Sequence, residues 1–169
     1  MSGQMHQPDH VGRIMAQWRR ERPELDVSPL GVVGRLHRLA EALNSELREL
    51  FATAGLSDGD FDVLASLRRS GEPFALTPGE LADTTMVTSG AVTKRVDRLE
   101  AQGYVTRTVS AVDGRSRTIA LTDAGRSLID ELFPRHVDNE RRLLAGLSTA
   151  ERDELARLLE KWGRSLEAG

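Results

Sequence analysis

The stretch that decides the fold runs from Thr77 to Thr122 and reads TPGELADTTMVTSGAVTKRVDRLEAQGYVTRTVSAVDGRSRTIALT. Its first four residues, Thr77-Pro78-Gly79-Glu80, form a capping box with proline at the first helical position, so a helix begins there. Asp83-Thr84-Thr85 supplies turn chemistry soon afterwards. The pattern therefore predicts a short helix followed by a tight turn.

A second helix begins at Ser89-Gly90 and lasts to Gln102, where Gly103 supplies a left-handed stop. Two helices joined by a tight turn, the second rich in Ser, Thr, Lys and Arg, are typical of a helix-turn-helix. Behind them, Asp113-Gly114-Arg115-Ser116-Arg117 marks the turn of a hairpin, which makes the motif winged. This arrangement predicts a protein that reads double-stranded DNA.

Charge is concentrated in this motif. The whole chain has a net charge of −3, but residues 88–117 carry six basic and three acidic side chains, a net +3 that leaves −6 on the remainder. The basic side chains are Lys94, Arg95, Arg98, Arg107, Arg115 and Arg117. A basic segment in an otherwise acidic chain confines the attraction for phosphates to one part of the surface.

Composition excludes several other classes of protein. With 169 residues, 39% of them apolar and 29% charged, the chain has the composition of a soluble globular protein, and no apolar run approaches the roughly 20 residues that span a bilayer. Its start, Met1-Ser2-Gly3-Gln4, has no apolar signal core, so we expect a cytoplasmic protein without a membrane partner. The absence of cysteine excludes disulfides and thiol switches.

Catalytic and metal-binding patterns are also missing from the sequence. It has no Gly-rich phosphate loop, no HExxH motif and no cysteine nucleophile, and its four histidines do not cluster as metal ligands outside the N-terminal region. We therefore expect neither an enzyme nor a cofactor or metal site.

The rest of the chain has the apolar periodicity of helices, and Ser148-Thr149-Ala150-Glu151 is a second capping box. We predict a mainly α (α+β) fold, a winged helix-turn-helix whose long N- and C-terminal helices form a dimer interface. The expected regions are an extra N-terminal helix and linker in residues 1–27, a helical dimerisation region in 28–56 and 122–169, and the winged helix-turn-helix in 57–121.

The second helix of the motif has two distinct faces. Val92, Val96 and Leu99 lie at i, i+4 and i+7 and must face the core, so the opposite face is free to approach the major groove. The candidate DNA contacts on this helix and the wing are Ser89, Gly90, Thr93, Lys94, Arg98, Asp113, Arg115 and Arg117.

Two arginines have a different setting. Arg95 follows Val92 by three residues and lies on the inward edge of the helix, while strand alternation points Arg107 to the same side as Val105 and Val109. A guanidinium near the core keeps its proton and needs a partner.

The order of these elements resembles the MarR family of bacterial transcription regulators. The resemblance rests on the motifs Thr88-Ser89-Gly90-Ala91-Val92-Thr93, Arg98-Leu99-Glu100, Asp113-Gly114-Arg115 and Leu121-Thr122-Asp123-Ala124-Gly125, and it covers essentially the whole chain. The extra leading helix with Gln17-Trp18-Arg19 is similar to the urate-responsive branch of that family.

The resemblance implies roles for particular residues. Arg115 would enter the minor groove, oriented by Asp113, in a homodimeric repressor that releases a pseudo-palindromic site when a small anion binds. In the urate-responsive branch, residues at the positions of Trp18, Asp62, Arg95 and Arg107 are implicated in sensing urate. Citrate, aconitate or a phenolic anion remains an alternative ligand. A structural Asp62–Arg95 ion pair with a packing tryptophan, and no ligand at all, remains an alternative too.

Overall fold

The structure is a computed structural model of the chain, and it describes residues 7–85, 89–109 and 117–168, with the side chains of residues 89–91 and 109 excepted. Within these ranges there are seven helices and three short strands. The helices are α1 His10–Glu21, α2 Leu30–Ala52, α3 Asp58–Arg69, α4 Pro78–Thr84, α5 Ser89–Ala101, α6 Asp123–Leu143 and α7 Thr149–Glu167. The strands are β1 Ala75–Leu76, β2 Val105–Val109 and β3 Arg117–Leu121.

The chain divides into two compact units, residues 1–46 and 47–169. In the first unit, α1 packs against the segment that leads into α2 through a small cluster of Val11, Met15 and Val27. Asp9 caps α1 by accepting a hydrogen bond from the Gly12 N–H (2.7 Å), and its carboxylate also pairs with Arg35 at 2.9 Å. The hydrogen bond from Arg35 lowers the pKa of Asp9 below its ordinary value.

The second unit holds the main hydrophobic core, and α3 lies at its centre. Val63, Leu64 and Leu67 on α3 are completely buried. They belong to one cluster with apolar side chains of α4, α5, α6 and the sheet, which include Leu81, Val96, Leu99, Val105, Ile119, Ile129 and Leu132. Burial of these side chains fixes the helix-turn-helix against α3.

The sheet is antiparallel, with strand order β1-β3-β2. The register places Val105 opposite Leu121 and Arg107 opposite Ile119. The central strand β3 also pairs with β1, where Ala75 lies opposite Ala120. The sequence predicted the hairpin of β2 and β3 but not β1.

The helix signals in the sequence are confirmed. Thr77 and Glu80 form the capping box of α4 with proline in its first turn, and Ser148 and Glu151 form the capping box of α7. Gly103 has a φ of +78°, the left-handed geometry that ends α5, although the helix stops at Ala101, one residue before the predicted end. The predicted fold class, mainly helical with a winged helix-turn-helix, is likewise confirmed.

None of the helices in the described ranges is both long and apolar enough to cross a bilayer.

Candidate nucleic-acid interface

The second helix of the motif, α5, buries one face and exposes the other. Val92, Val96 and Leu99 are buried in the core, as the sequence predicted. Thr93 and Lys94 are exposed to solvent on the same helix. For Ser89 and Gly90 the structure describes only the helical backbone. The exposed face of α5 is therefore available to a duplex, while the buried face holds the helix in place.

The helix before it, α4, is fixed at both ends. At its start the Glu80 carboxylate accepts hydrogen bonds from the Thr77 backbone N–H and from the Thr77 hydroxyl, each at 2.8 Å. The bond from the backbone N–H lowers the pKa of Glu80 below its ordinary value. At its end the Thr84 carbonyl accepts hydrogen bonds from Arg69 and, at 3.5 Å, from the Ser66 hydroxyl, both on α3. The two hydrogen bonds to the Thr84 carbonyl anchor the helix-turn-helix to α3.

The wing is described only along its strands. Arg117 is exposed at the beginning of β3, and the hydroxyls of Thr108 and Thr118 make a cross-strand contact of 2.8 Å. Asp113 and Arg115, the predicted minor-groove contacts, lie outside the described residues.

Arg98 has a contact that the sequence did not predict. Its Nη2 and Nε donate hydrogen bonds of 2.6 Å and 3.2 Å to Oδ1 of Asp60. Asp60 is buried, with only 1% of its surface exposed. Asp60 is also the third residue of α3 in a capping box with Ser57. The signal that could have suggested this role is the Ser57-Asp58-Gly59-Asp60 capping pattern, because it places a carboxylate at the helix start.

Arg107 is held by two carboxylates of α5. Its guanidinium donates hydrogen bonds to Asp97 and to Glu100, and its backbone N–H donates to Glu100 at 3.1 Å. The hydrogen bond to Asp97 raises the pKa of Arg107, and the bond to Glu100 acts in the same direction against desolvation. The side chain is 30% exposed, so the carboxylates join β2 to α5 near the surface rather than in the deep core.

Arg95 is half-buried and lies against the first turn of α3. A Cβ built on Gly59 would come within 2.0 Å of Arg95 Cζ, so the guanidinium occupies the space that a side chain at this position would need. Its Nη1 atom is inaccessible to solvent and has no hydrogen-bond partner among the described residues. Arg95 thus keeps an unused donor at the start of α3.

The other two predicted sensor residues have different surroundings. Asp62 is half-buried on α3, the helix that Arg95 contacts through Gly59. Trp18 lies on α1 in the first unit and is 47% exposed. The structure thus brings Arg95 to the helix of Asp62, whereas Arg107 engages Asp97 and Glu100 on α5.

Comparison with known proteins agrees with this architecture. Residues 54–116 match the sequence model of the MarR family. Over 149 residues the chain is 41% identical to the HTH-type transcriptional regulator PecS of Dickeya dadantii, a match that covers 88% of this chain and 90% of PecS. The chain belongs to the MarR family. It is a DNA-binding transcriptional regulator of the PecS-like type.

Solved structures of other MarR-type regulators share the fold. One is an E. coli MarR variant complexed with operator DNA, with 27% identity, coverage of 85% of this chain and 96% of that chain, and a TM-score of 0.68. Another is Bordetella bronchiseptica BpsR, from a structure concerned with how 6-hydroxynicotinic acid regulates its DNA binding. It has 26% identity, coverage of 78% and 92%, and a TM-score of 0.68.

Proposed function

We propose that this MarR-family protein is a repressor that binds a pseudo-palindromic operator as a homodimer and is released by a small anionic metabolite such as urate. The observation that carries the proposal is the two-faced helix α5, which buries Val92, Val96 and Leu99 and exposes Thr93 and Lys94. A helix fixed in this way presents its free face to the major groove.

The proposed DNA contacts lie on this helix and on the wing. Ser89, Gly90, Thr93 and Lys94 would contact the major groove and its phosphates. Arg98, also a candidate contact from the sequence, lies on the flank of the same helix, where it is held by Asp60. In the wing, Arg115 would enter the minor groove, oriented by Asp113, and Arg117 would contact the backbone. The net charge of +3 on residues 88–117 supports this assignment.

Exposed apolar stripes on two helices support a homodimer. Val33, Leu36 and Leu43 are exposed on α2, and Leu155, Leu158 and Leu159 are exposed on α7. Rows of large apolar side chains on long helices are typical of subunit interfaces. A twofold dimer of this kind would place two α5 helices one turn of DNA apart.

Trp18, Asp62, Arg95 and Arg107 are the residues proposed to take part in ligand sensing, as the resemblance to the urate-responsive branch implies. The unused, buried Nη1 donor of Arg95 supports an anion as the ligand, because a buried donor gains most from a charged acceptor. The relative BpsR, whose DNA binding is regulated by 6-hydroxynicotinic acid, offers a precedent for a planar organic acid. In this mechanism urate displaces the Asp62 carboxylate and shifts the population of α5 away from the DNA-binding position.

A DNA-binding titration tests the proposal. The operator is a duplex selected from a randomised pool by the wild-type protein, and its affinity is measured at fixed salt with and without urate, xanthine, citrate or aconitate. We expect urate to weaken binding, and Asp62→Asn to blunt that effect while DNA binding persists. If only citrate or aconitate weakens binding, the ligand is that anion and not urate. If none of the four anions alters operator affinity, the ligand-responsive mechanism is refuted.

Two variants test the DNA contacts separately. Arg115→Ala and Lys94→Ala should each weaken operator binding strongly and change Tm little. Lys94 is exposed, and a side chain at the proposed tip of the wing is expected to bury little surface on folding. Wild-type affinity in Arg115→Ala would refute the role of the wing, and wild-type affinity in Lys94→Ala would refute the role of α5.

A further inference from the structure

A closed hydrogen-bond network joins the last turns of α5 to the first turn of α3. One oxygen of the Asp60 carboxylate, Oδ2, accepts hydrogen bonds from the Ser57 backbone N–H at 2.9 Å and from the Ser57 hydroxyl at 2.7 Å. The other, Oδ1, accepts the two hydrogen bonds from Arg98. Nη2 of Arg98 donates in addition to the Ser57 hydroxyl at 3.1 Å. The side chains of Ser57, Asp60 and Arg98 thus form hydrogen bonds with one another between the start of α3 and the end of α5.

The burial of Asp60 makes this network hard to open. A buried carboxylate needs a paired cation and satisfied lone pairs, and removing the cation leaves an uncompensated charge in the core. Asp60 is 1% exposed while half of the Arg98 side chain is exposed, so the arginine reaches inward from the surface to the carboxylate. Arg98 therefore stays paired with Asp60, because moving it away would leave the buried carboxylate without a cation.

The geometry also constrains what Arg98 does when DNA binds. Nε and Nη2 of Arg98 both donate to one carboxylate oxygen, Oδ1 of Asp60, and Nη2 also donates to the Ser57 hydroxyl. These three hydrogen bonds restrict the orientation of the planar guanidinium. Lys94, one helical turn earlier on the same helix, is exposed. Two cations of α5 that are only four residues apart therefore differ in their surroundings.

We propose that Arg98 is a positioning residue, which sets the angle of α5 on the duplex through Asp60 and Ser57 instead of neutralising a phosphate. The proposal rests on the proposed function of α5 as the DNA-reading helix. The proposal also predicts that substitution of Asp60 weakens operator binding, although Asp60 is buried and cannot contact DNA itself.

The salt dependence of DNA binding separates positioning from phosphate contact. Each phosphate that a cation neutralises adds about 0.9 to the slope of log affinity against log salt concentration, whereas a positioning residue adds nothing to it. The experiment measures fluorescence anisotropy of the selected operator duplex at several salt concentrations. The proteins are wild type, Arg98→Lys, Arg98→Gln, Asp60→Asn, the double variant Arg98→Gln with Asp60→Asn, and Lys94→Ala. Circular dichroism and Tm establish that each protein is folded at the temperature of measurement.

We expect Arg98→Lys, which keeps the charge but loses the two-pronged contact, to weaken binding about as much as Arg98→Gln, by about tenfold, with the wild-type salt slope in both. Asp60→Asn should have a similar effect, and the double variant should bind no more weakly than either single variant, because one network is broken in all three. Lys94→Ala should lower the slope by about one per protomer.

Wild-type binding in Arg98→Lys together with a flatter slope in Arg98→Gln would overturn the proposal, because this is the behaviour of a phosphate contact. Wild-type affinity in both Arg98 variants would also overturn it. Should Asp60→Asn fail to fold, the two Arg98 variants alone decide the question. If Lys94→Ala leaves both affinity and slope unchanged, the failure lies with α5 as the DNA-reading helix, not with the role of Arg98.

Discussion

The basic side chains of α5 have different surroundings, which cannot be read from their positions in the sequence. Arg98 engages the buried Asp60, and Arg95 lies over Gly59 at the same helix start. Lys94 is exposed to solvent. The first turn of α3 is thus contacted by two arginines of α5, and small changes there should act on the DNA-binding helix without touching its exposed face.

Gly59→Ala is expected to displace the end of the Arg95 side chain, because the new Cβ would lie 2.0 Å from Arg95 Cζ. A flexible side chain can move away, and alanine favours helix by up to about 1 kcal/mol over glycine, so Tm should stay near the wild-type value. The urate effect on operator affinity should be blunted.

Gly79→Ala is the matched control, since Gly79 holds the same position in α4 and a Cβ there meets nothing within 4 Å. An unchanged urate response in Gly59→Ala would contradict the role of Arg95 as a sensor.

Gly125→Ala should destabilise the fold for a different reason. A Cβ on Gly125 would lie 2.0 Å from the carbonyl oxygen of Tyr104, which is backbone and also accepts a hydrogen bond from the Thr122 N–H at 3.1 Å. The start of α6 would have to shift, at a cost of about 1–3 kcal/mol in the free energy of unfolding. Chemical denaturation measures it, with Gly146→Ala as the control because a Cβ there meets nothing within 4 Å. If Gly125→Ala and Gly146→Ala have equal free energies of unfolding, the contact of Gly125 with the Tyr104 carbonyl does not require glycine at position 125.

At the scale of helices and strands, the features that could be predicted are those with local causes. The capping boxes of α4 and α7 each involve residues three apart, and Gly103 ends α5 through its own backbone geometry. The two-residue strand β1 exists only through its pairing with β3, far along the chain. The contact between Asp60 and Arg98 spans 38 positions. Distant pairings of this kind follow from packing, which periodicity does not encode.

The capping box of α4 should make stability depend on pH. Hydrogen bonds from Thr77 lower the pKa of Glu80 below its ordinary value of 4.5, so the ionised carboxylate stabilises the fold above that value. This contribution is lost as the pH falls through the lower pKa of the folded state. Glu80→Gln keeps an acceptor in the box but removes the titration.

The free energy of unfolding, measured between about pH 6 and pH 3, should therefore fall less steeply in Glu80→Gln than in wild type. Glu49→Gln, at an exposed position on α2, serves as the control for loss of one surface carboxylate. Parallel pH profiles for wild type and Glu80→Gln would refute the prediction.

For the whole molecule, the apolar stripes of α2 and α7 bear on assembly. Leu155, Leu158 and Leu159 remain exposed in the single chain. Leu158→Glu should lower the sedimentation coefficient from that of a dimer to that of a monomer, because a charge in an apolar interface loses its hydration without a partner. The same variant should lose most of its operator affinity, since one α5 helix contacts only half a site.

Arg157→Glu is the control for added negative charge on α7, because Arg157 is a surface residue paired with Glu154. It should sediment as wild type does. Wild-type sedimentation of Leu158→Glu would place the subunit interface elsewhere.

The most direct test of DNA reading by a homodimer is hydroxyl-radical footprinting of the wild-type protein on the selected duplex. We expect two symmetric protected regions on one face, with the centres of the half-sites about 10 base pairs apart, as two α5 helices in successive major grooves require. Lys94→Ala should weaken protection in both regions equally. A single protected half-site, or protection spread evenly along the duplex, would contradict the proposed dimeric recognition.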